Sequence, residues 1–232
     1  LSTGDLNGTL KDGGRSVTGS AGGNHTRSAL VIAEVALSLV LLAGAGLLSA
    51  TLLKLSKVNP GFDSHSMLTA ETSLPDVKYK TDAQQAAFYD LLLDKVRAIP
   101  GVLGVAGVSV LPLSGNNMSI GFSLEGEPRG EGVAPQHGEM LDVVTTDFFS
   151  VMKIPLKSGR LFTAQDDSAA TPVIIINEAF AKKYYPGQNP LGKRISAGYN
   201  SETLLAVIGV GGDVHRQALD KDAAPAMYLA YH

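Results

Sequence analysis

The chain contains no cysteine and no tryptophan, and only 18% of its residues are charged. Without cysteine there is no disulfide scaffold, no thiol nucleophile, no Cys-ligated zinc and no iron–sulfur centre. The net charge of −3 leaves no basic excess of the kind a general nucleic-acid binder displays, so no nucleic-acid partner is expected. No internal repeat of fixed period is present. At 232 residues the chain suits one large domain or two small ones and is long enough to bury a core. Apolar residues make up 44% of the chain, and much of that excess sits in one stretch.

Residues 28–53, SALVIAEVALSLVLLAGAGLLSATLL, hold no lysine or arginine and one acid, Glu34. The 19 residues from Val35 to Leu53 carry no charge, and about 20 apolar residues in a helix cross a hydrocarbon core of about 30 Å. Backbone polar groups in lipid must be satisfied internally, so the segment is expected to be helical despite its valines and glycines. Soluble helices of this length carry a polar face, and signal-peptide cores are shorter. Lys11, Arg15 and Arg27 precede the stretch; Lys54 and Lys57 follow it. This narrow bias points to a cytoplasmic N-terminus and an external C-terminal region. Glu34 either sits near the cytoplasmic interface or makes a polar contact to another membrane helix. Ala43-Gly44-Ala45-Gly46 is a small-residue patch that would let such a helix approach.

Residues 1–26 are rich in Gly, Ser, Thr and Asn and read as a flexible cytoplasmic linker. The expected division is therefore linker 1–26, transmembrane helix 27–55 and an external domain 56–232. The start at Leu1, without an initiator methionine, is expected of a fragment of a longer protein.

The domain reads as mixed α/β. Met67–Ser73 is expected to be a strand. Thr81 and Gln84 form a capping-box pattern opening a helix with Phe88, Leu91, Leu92, Val96 and Ile99 on one face, stopped by Pro100-Gly101. Val102–Val110 follows as a strand, so the stretch 67–110 is expected to be a strand–helix–strand unit, a right-handed parallel crossover if both strands join one sheet. Ile120, Phe122 and Leu124 alternate as in a half-buried strand, and Met140–Val144 is another. Thr146 is placed to cap a short helix carrying Phe148, Phe149 and Met152. Pro172–Ile176 and Leu204–Val210 are continuous apolar runs, fitting strands covered on both faces. Asn177 is placed to cap a helix with Phe180, Ala181 and Tyr184, ended by Pro186-Gly187, and Ala226–Tyr231 is a last strand. The fold class expected is α+β, a two-lobed domain with helices on one face of each sheet.

No catalytic, cofactor or metal residue is assigned. Gly187-Gln-Asn-Pro-Leu-Gly192-Lys193-Arg194 comes close to a P-loop but lacks the magnesium-binding hydroxyl, follows a helix rather than a strand, and has Pro190 where a phosphate cradle needs a donor. Gly209-Val-Gly211-Gly212 misplaces the third glycine of a dinucleotide loop. His25, His65, His137, His215 and His232 show no metal-ligand spacing. Asp166-Asp167 and Glu139/Asp142 read as solvated acids, and no G-x-S-x-G elbow is present. Asn7-Gly-Thr9, Asn24-His-Thr26 and Asn117-Met-Ser119 have the pattern of glycosylation sequons without a supporting secretory context. An enzyme is therefore not expected.

Five stretches taken together resemble the FtsX-like ABC transporter permeases with a MacB-like periplasmic core domain. They are Glu34–Gly46; Asn59-Pro-Gly-Phe-Asp63; Gly159-Arg-Leu-Phe-Thr163 with Asp166-Asp167; Val173–Ala181 running through Tyr185-Pro-Gly187 to Pro190–Ile195; and Ala206–Val214. The likeness covers residues 27–232 and is similar to the large acidobacterial permeases that carry two such cores and no fused ATPase. It implies one helix leading into an extracytoplasmic domain with a porter-like α/β part and an inserted β-rich part. It also implies further membrane helices or a second permease copy, a separate cytoplasmic ATP-binding subunit, a periplasmic adaptor, and location in the inner membrane. A membrane-anchored sensor or binding module is the alternative reading.

Overall fold

The computed structural model describes residues 21–75, 77–166, 171–198 and 202–231. The chain divides into two compact units, residues 1–57 and 58–232.

The described part of the first unit is one uninterrupted helix, α1, Ala21–Leu55. It starts ahead of the apolar stretch, so residues 21–26 are helical, whereas the linker expected over residues 1–20 lies outside the described residues. Its side chains are almost all exposed, and the stretch His25–Leu55 is long and apolar enough to cross a membrane. Ser38 and Thr51 donate their hydroxyls to the carbonyls of Glu34 and Leu47, four residues back. Such internal bonding lets polar side chains sit in an apolar helix.

The second unit contains α2 (Asp82–Arg97), β1 (Ser119–Leu124), β2 (His137–Val144), α3 (Phe148–Val151), β3 (Leu156–Gly159), β4 (Val173–Asn177), α4 (Glu178–Tyr184), β5 (Arg194–Ala197), β6 (Leu205–Gly211) and β7 (Ala226–Ala230). The sheet order is β3-β6-β4-β7-β2-β1-β5, and β5 also pairs with β6. Six strands therefore form a closed hydrogen-bonded ring, β6-β4-β7-β2-β1-β5. Two pairings in the ring are parallel, β2 with β7 and β4 with β6. β6 shares its second edge between β5, at Leu205–Ala206, and β3, at Gly209–Gly211.

The alternation of side chains along a strand sorts the core into two layers. Phe122, Leu141, Ile174, Ile176, Ile195, Val207, Val210 and Met227, drawn from all six ring strands, form one cluster with Phe180 and Tyr185; this is the inside of the ring. Their neighbours Met140, Ile175, Ala226 and Tyr228 form a second cluster with Phe148, Phe149, Met152, Ile154, Phe162 and Val214 on the outer face. Both faces of β4 and β7 are thus covered, which explains their continuous apolar runs.

Asn177 caps α4 as its position predicted. It is fully buried, its Oδ1 accepts the N–H groups of Phe180 (3.0 Å) and Ala226 (2.8 Å), and its Nδ2 donates to the Ala224 carbonyl (2.9 Å). Thr81 caps α2 by accepting from Gln84 N–H at 3.3 Å. Gln84 Oε1 reaches back one residue further than expected, to Lys80 N–H at 2.9 Å. At α3 the cap residue is Asp147 rather than Thr146, with no side-chain cap bond.

The strand–helix–strand crossover over 67–110 is not formed. Only α2 of the three elements is present. Residues 68–73 are exposed and without strand pairing, and the 102–110 stretch contributes a single bridge, Val108 to Val144. The physical reason is the closure of the ring. A strand needs an edge with free N–H and C=O groups, and the only stretch of β2 left open beside β1, near Val143–Thr145, is taken by Gly107–Ser109. Conversely, β3 had no clear sequence signal and exists because β6 leaves the Gly209–Gly211 edge open to it.

Candidate functional site

The acids expected to be solvated are not: Glu139, Asp142 and Asp166 are largely buried and each is paired with a cation. Glu139 and Asp142 are an odd number of residues apart on β2, so they point to opposite faces. Glu139 accepts Lys183 Nζ (2.5 Å) and the Tyr184 hydroxyl (2.6 Å). The Tyr184 hydroxyl is pushed up by burial and by this carboxylate. Asp142 is 0% exposed and pairs with Arg216, itself 3% exposed; one contact is 2.7 Å from Nη2 to Oδ1, and Nη1 also meets Oδ2. Burial lowers the Arg216 pKa and lifts that of the neighbouring Tyr228 to about 12. The two acids thus do not act as a catalytic pair.

Asp166 is held by a bidentate contact from Arg160 (2.6 and 2.7 Å) and accepts the backbone N–H and hydroxyl of Thr163 (2.8 and 3.0 Å). The Arg160 guanidinium, ahead of these Thr163 bonds, lowers its pKa from 3.8 to about 2. Asp167 lies outside the described residues.

In the near-P-loop, Leu191 N–H donates to Asn189 Oδ1, Gly192 N–H to the Val207 carbonyl and Lys193 N–H to the Pro190 carbonyl. The donors a phosphate would need are already engaged. Gly211 and Gly212 leave room for Phe149 and Pro155, which an added Cβ would approach within 2.9 Å. Both glycines serve close packing. His25 lies on α1, His137 Nε2 pairs with Glu127 Oε1 at 2.8 Å, and His232 is outside the described residues. Among the described residues no group of three His, Asp or Glu side chains gathers to hold a metal.

The feature that does stand out is the seating of Asn59–Asp63, just inside the second unit. Asn59 Oδ1 accepts Gly61 N–H (2.9 Å), making a tight turn. Gly61 has φ +90°, and a Cβ there would lie 2.0 Å from the Asp213 carbonyl oxygen and 2.9 Å from Val214 Cα. Only glycine allows that backbone crossing. The Pro60 carbonyl accepts His215 N–H (2.9 Å), and Asp63 N–H donates to the Met152 carbonyl (3.0 Å). Asp63 Oδ2 meets Lys153 Nζ at 2.6 Å and Oδ1 accepts His65 N–H at 2.9 Å. Lys153 and then His65 hold the Asp63 carboxyl below its usual range. Phe62 packs on the outer core layer. The turn that begins two residues after Lys57 is thereby fixed to the end of α3 and to the segment after β6. That segment is fixed in turn by the Arg216–Asp142 pair and by Ala179 N–H donating to Asp213 Oδ1 at 2.8 Å. Burial, which is only partly offset by this bond, raises the Asp213 pKa.

The Asn59-Pro-Gly stretch was visible in the sequence as one of the stretches that carry the family resemblance. The groups that receive Asn59–Asp63, from Met152, Lys153, Asp213 and His215, were not, because each is distant in sequence and belongs to no local pattern. A fastening turn follows a helix long and apolar enough to cross a membrane and opens the mixed α/β second unit.

The profile of the MacB-like periplasmic core domain matches residues 26–231, and the chain belongs to that family, found in FtsX/MacB-like ABC transporter permeases. It is 33% identical over 86 residues to the pyoverdine export ATP-binding/permease protein PvdT of Pseudomonas aeruginosa, a match covering 37% of this chain and 12% of that protein. The chain thus spans about an eighth of that relative. Among solved structures it is similar to the periplasmic region of MacB from Actinobacillus actinomycetemcomitans, at 23% identity and a TM-score of 0.40, over 60% of this chain and 53% of that one. It is also similar to the extracellular domain of the noncanonical ABC-type transporter YknZ from Gram-positive bacteria, at 22% identity and a TM-score of 0.42, over 60% and 59% of the two chains.

Proposed function

We propose that the chain is the part of an ABC-type export or mechanotransmission permease in which α1 crosses the inner membrane and residues 56–232 act in the periplasm. Residues 1–20, ahead of α1, lie in the cytoplasm with a separate ATP-binding subunit. The domain conveys that subunit's cycle across the membrane, towards further permease helices or a second permease copy and a periplasmic adaptor. The closed ring is read as the inserted β-rich lobe, and α2 with its flanking segments as the part of the porter-like lobe this chain contributes.

The observation that carries the reading is the seating of Asn59–Asp63. A force arriving along the chain from α1 meets a turn locked by backbone bonds, an ion pair and a backbone crossing rather than a slack linker, so displacement passes into the sheet. A sensor would need convergent free polar groups. In the surface depression lined by Arg160, Thr163, Gln165, Asp166, Thr171 and Val173, the two charged groups are paired with each other.

The test inserts four Gly-Ser residues between Lys57 and Val58 in the parent permease. Conveyance by displacement predicts loss of export at an unchanged urea midpoint of the domain. Export that persists at the normal rate would refute it.

A further inference from the structure

We infer that one face of α1, marked by Glu34 and Ser38, docks against a different transmembrane helix that carries a lysine or arginine at the depth of Glu34; this rests on the reading of α1 as a membrane span. Arg27 and Lys54 are 27 residues apart, about 40 Å of helix at 1.5 Å per residue. That matches a bilayer with its headgroups, about 40–45 Å. With both cations at headgroup level, Glu34 lies about 10 Å below the Arg27 end, inside the hydrocarbon. Among the described residues its carboxylate has no ion pair or hydrogen bond, and only its main-chain carbonyl is engaged, by the Ser38 hydroxyl at 2.8 Å. Arg27 is two turns away, beyond contact.

An intramembrane carboxylate facing lipid is costly, and such groups face a protein partner. At about 100° per residue, Glu34, Ser38, Ala45 and Ser49 fall within one arc of about 60°. A partner that meets Glu34 therefore also finds the small side chains of Ser38, Ala45 and Ser49 along the middle of the span, where two backbones can come close, with Val31 and Leu52 on the same arc towards its ends. Ala36 and Ala43 lie on the opposite side. A second copy of this chain is disfavoured as the occupant. Residues 28–53 contain no lysine or arginine, so a copy aligned with the first sets one Glu34 against another.

The experiment places a photoreactive phenylalanine analogue at position 38 or 45, or at 36 or 43 as the opposite face, in the parent permease in its own membrane. After irradiation the adducts are mapped by peptide mass spectrometry. Expected are adducts from 38 and 45, at least tenfold more than from 36 and 43, on another helix with a lysine or arginine inside its apolar stretch. Their yield should fall at least tenfold in Glu34→Gln and Glu34→Leu and persist in Glu34→Asp. Adducts with lipid only, equal yields from both faces, adducts with a second copy of this chain, or an undiminished yield in Glu34→Gln would each overturn the inference. The readout does not require transport, so it can fail while the insertion test after Lys57 succeeds, and the reverse.

Discussion

The closed ring and the segment before it, residues 64–106, both carry apolar residues at regular spacing, yet they meet opposite surroundings. In the ring, Phe122, Ile174, Ile176, Phe180, Ile195 and Met227 are fully buried. In the earlier segment no described side chain is buried; Leu91 and Ile99 remain 55% and 53% exposed, and Leu103 wholly so. α2 meets the rest through Tyr231, whose hydroxyl donates to the Ala86 carbonyl at 3.0 Å and whose ring sits 6.2 Å from that of Tyr89, and through the exposed ion pair of Arg97 with Asp147 at 3.1 Å. A helix closes its own hydrogen bonds, so α2 can form with its apolar face half bare. A strand must borrow bonds from a neighbour, and the ring offers the 67–73 stretch none.

This contrast is most sharply broken by truncating the ring's interior. Phe180→Ala, which empties a fully buried site beside Phe122, should cost about 3–5 kcal/mol, and Arg216→Ala a similar amount because Asp142 would stay buried without its partner. Both should appear as large drops in the urea midpoint of the chain in detergent. A loss below about 1 kcal/mol for Phe180→Ala would mean the ring is not the stability core.

Asn177→Ala comes next. The side chain serves three backbone groups, two of them buried, rather than one, so the loss should reach or exceed the top of the range of about 0.5–2 kcal/mol known for caps. Thr81→Ala, at the exposed cap of α2, should cost about 0.5–1 kcal/mol. Equal losses at the two caps would erase the difference between the regions.

A smaller effect concerns acid. The Asp166 pKa falls from 3.8 to about 2 on folding, so the unfolded chain binds this proton more readily. The resulting stability is present above about pH 4 and is lost as pH drops towards 2. About 1–2 kcal/mol is expected after allowing for solvent at the half-exposed Arg160. Asp166→Asn should flatten that part of a urea midpoint against pH profile; an unchanged slope would contradict the assignment.

The smallest effects belong to exposed positions. Leu91→Gln and Glu178→Gln, the latter removing only a surface ion pair with Lys157 at 3.1 Å, should each stay within about 0.5 kcal/mol. If Glu178→Gln left stability intact but abolished export, the reading of Glu178 as a surface ion-pair residue of Lys157 alone would fail.

Much of the second unit was legible locally. β1, β2, β4, β6 and β7 were marked by alternation or unbroken apolar runs, and α2 and α4 by their caps and Pro-Gly stops. Positions 67–73 and 102–110 show where that legibility ends: the runs resemble strands, but only the rest of the sheet decides whether an edge is free. The same holds for the fastening of Asn59–Asp63, whose turn residues are contiguous while the groups receiving them come from α3 and from the segment after β6.

By itself the sequence determined the apolar helix, the glycine at 61, the Asn177 cap and the family, because each rests on neighbouring residues or on the order of short stretches along the chain. Only the tertiary structure decided that Glu139 and Asp142 part to opposite faces, that Arg216 is buried against Asp142, and that β3 pairs while 67–73 does not. These outcomes depend on hydrogen-bonding edges and buried charge partners supplied from tens of residues away. Local propensity does not encode which distant group will be there to receive them.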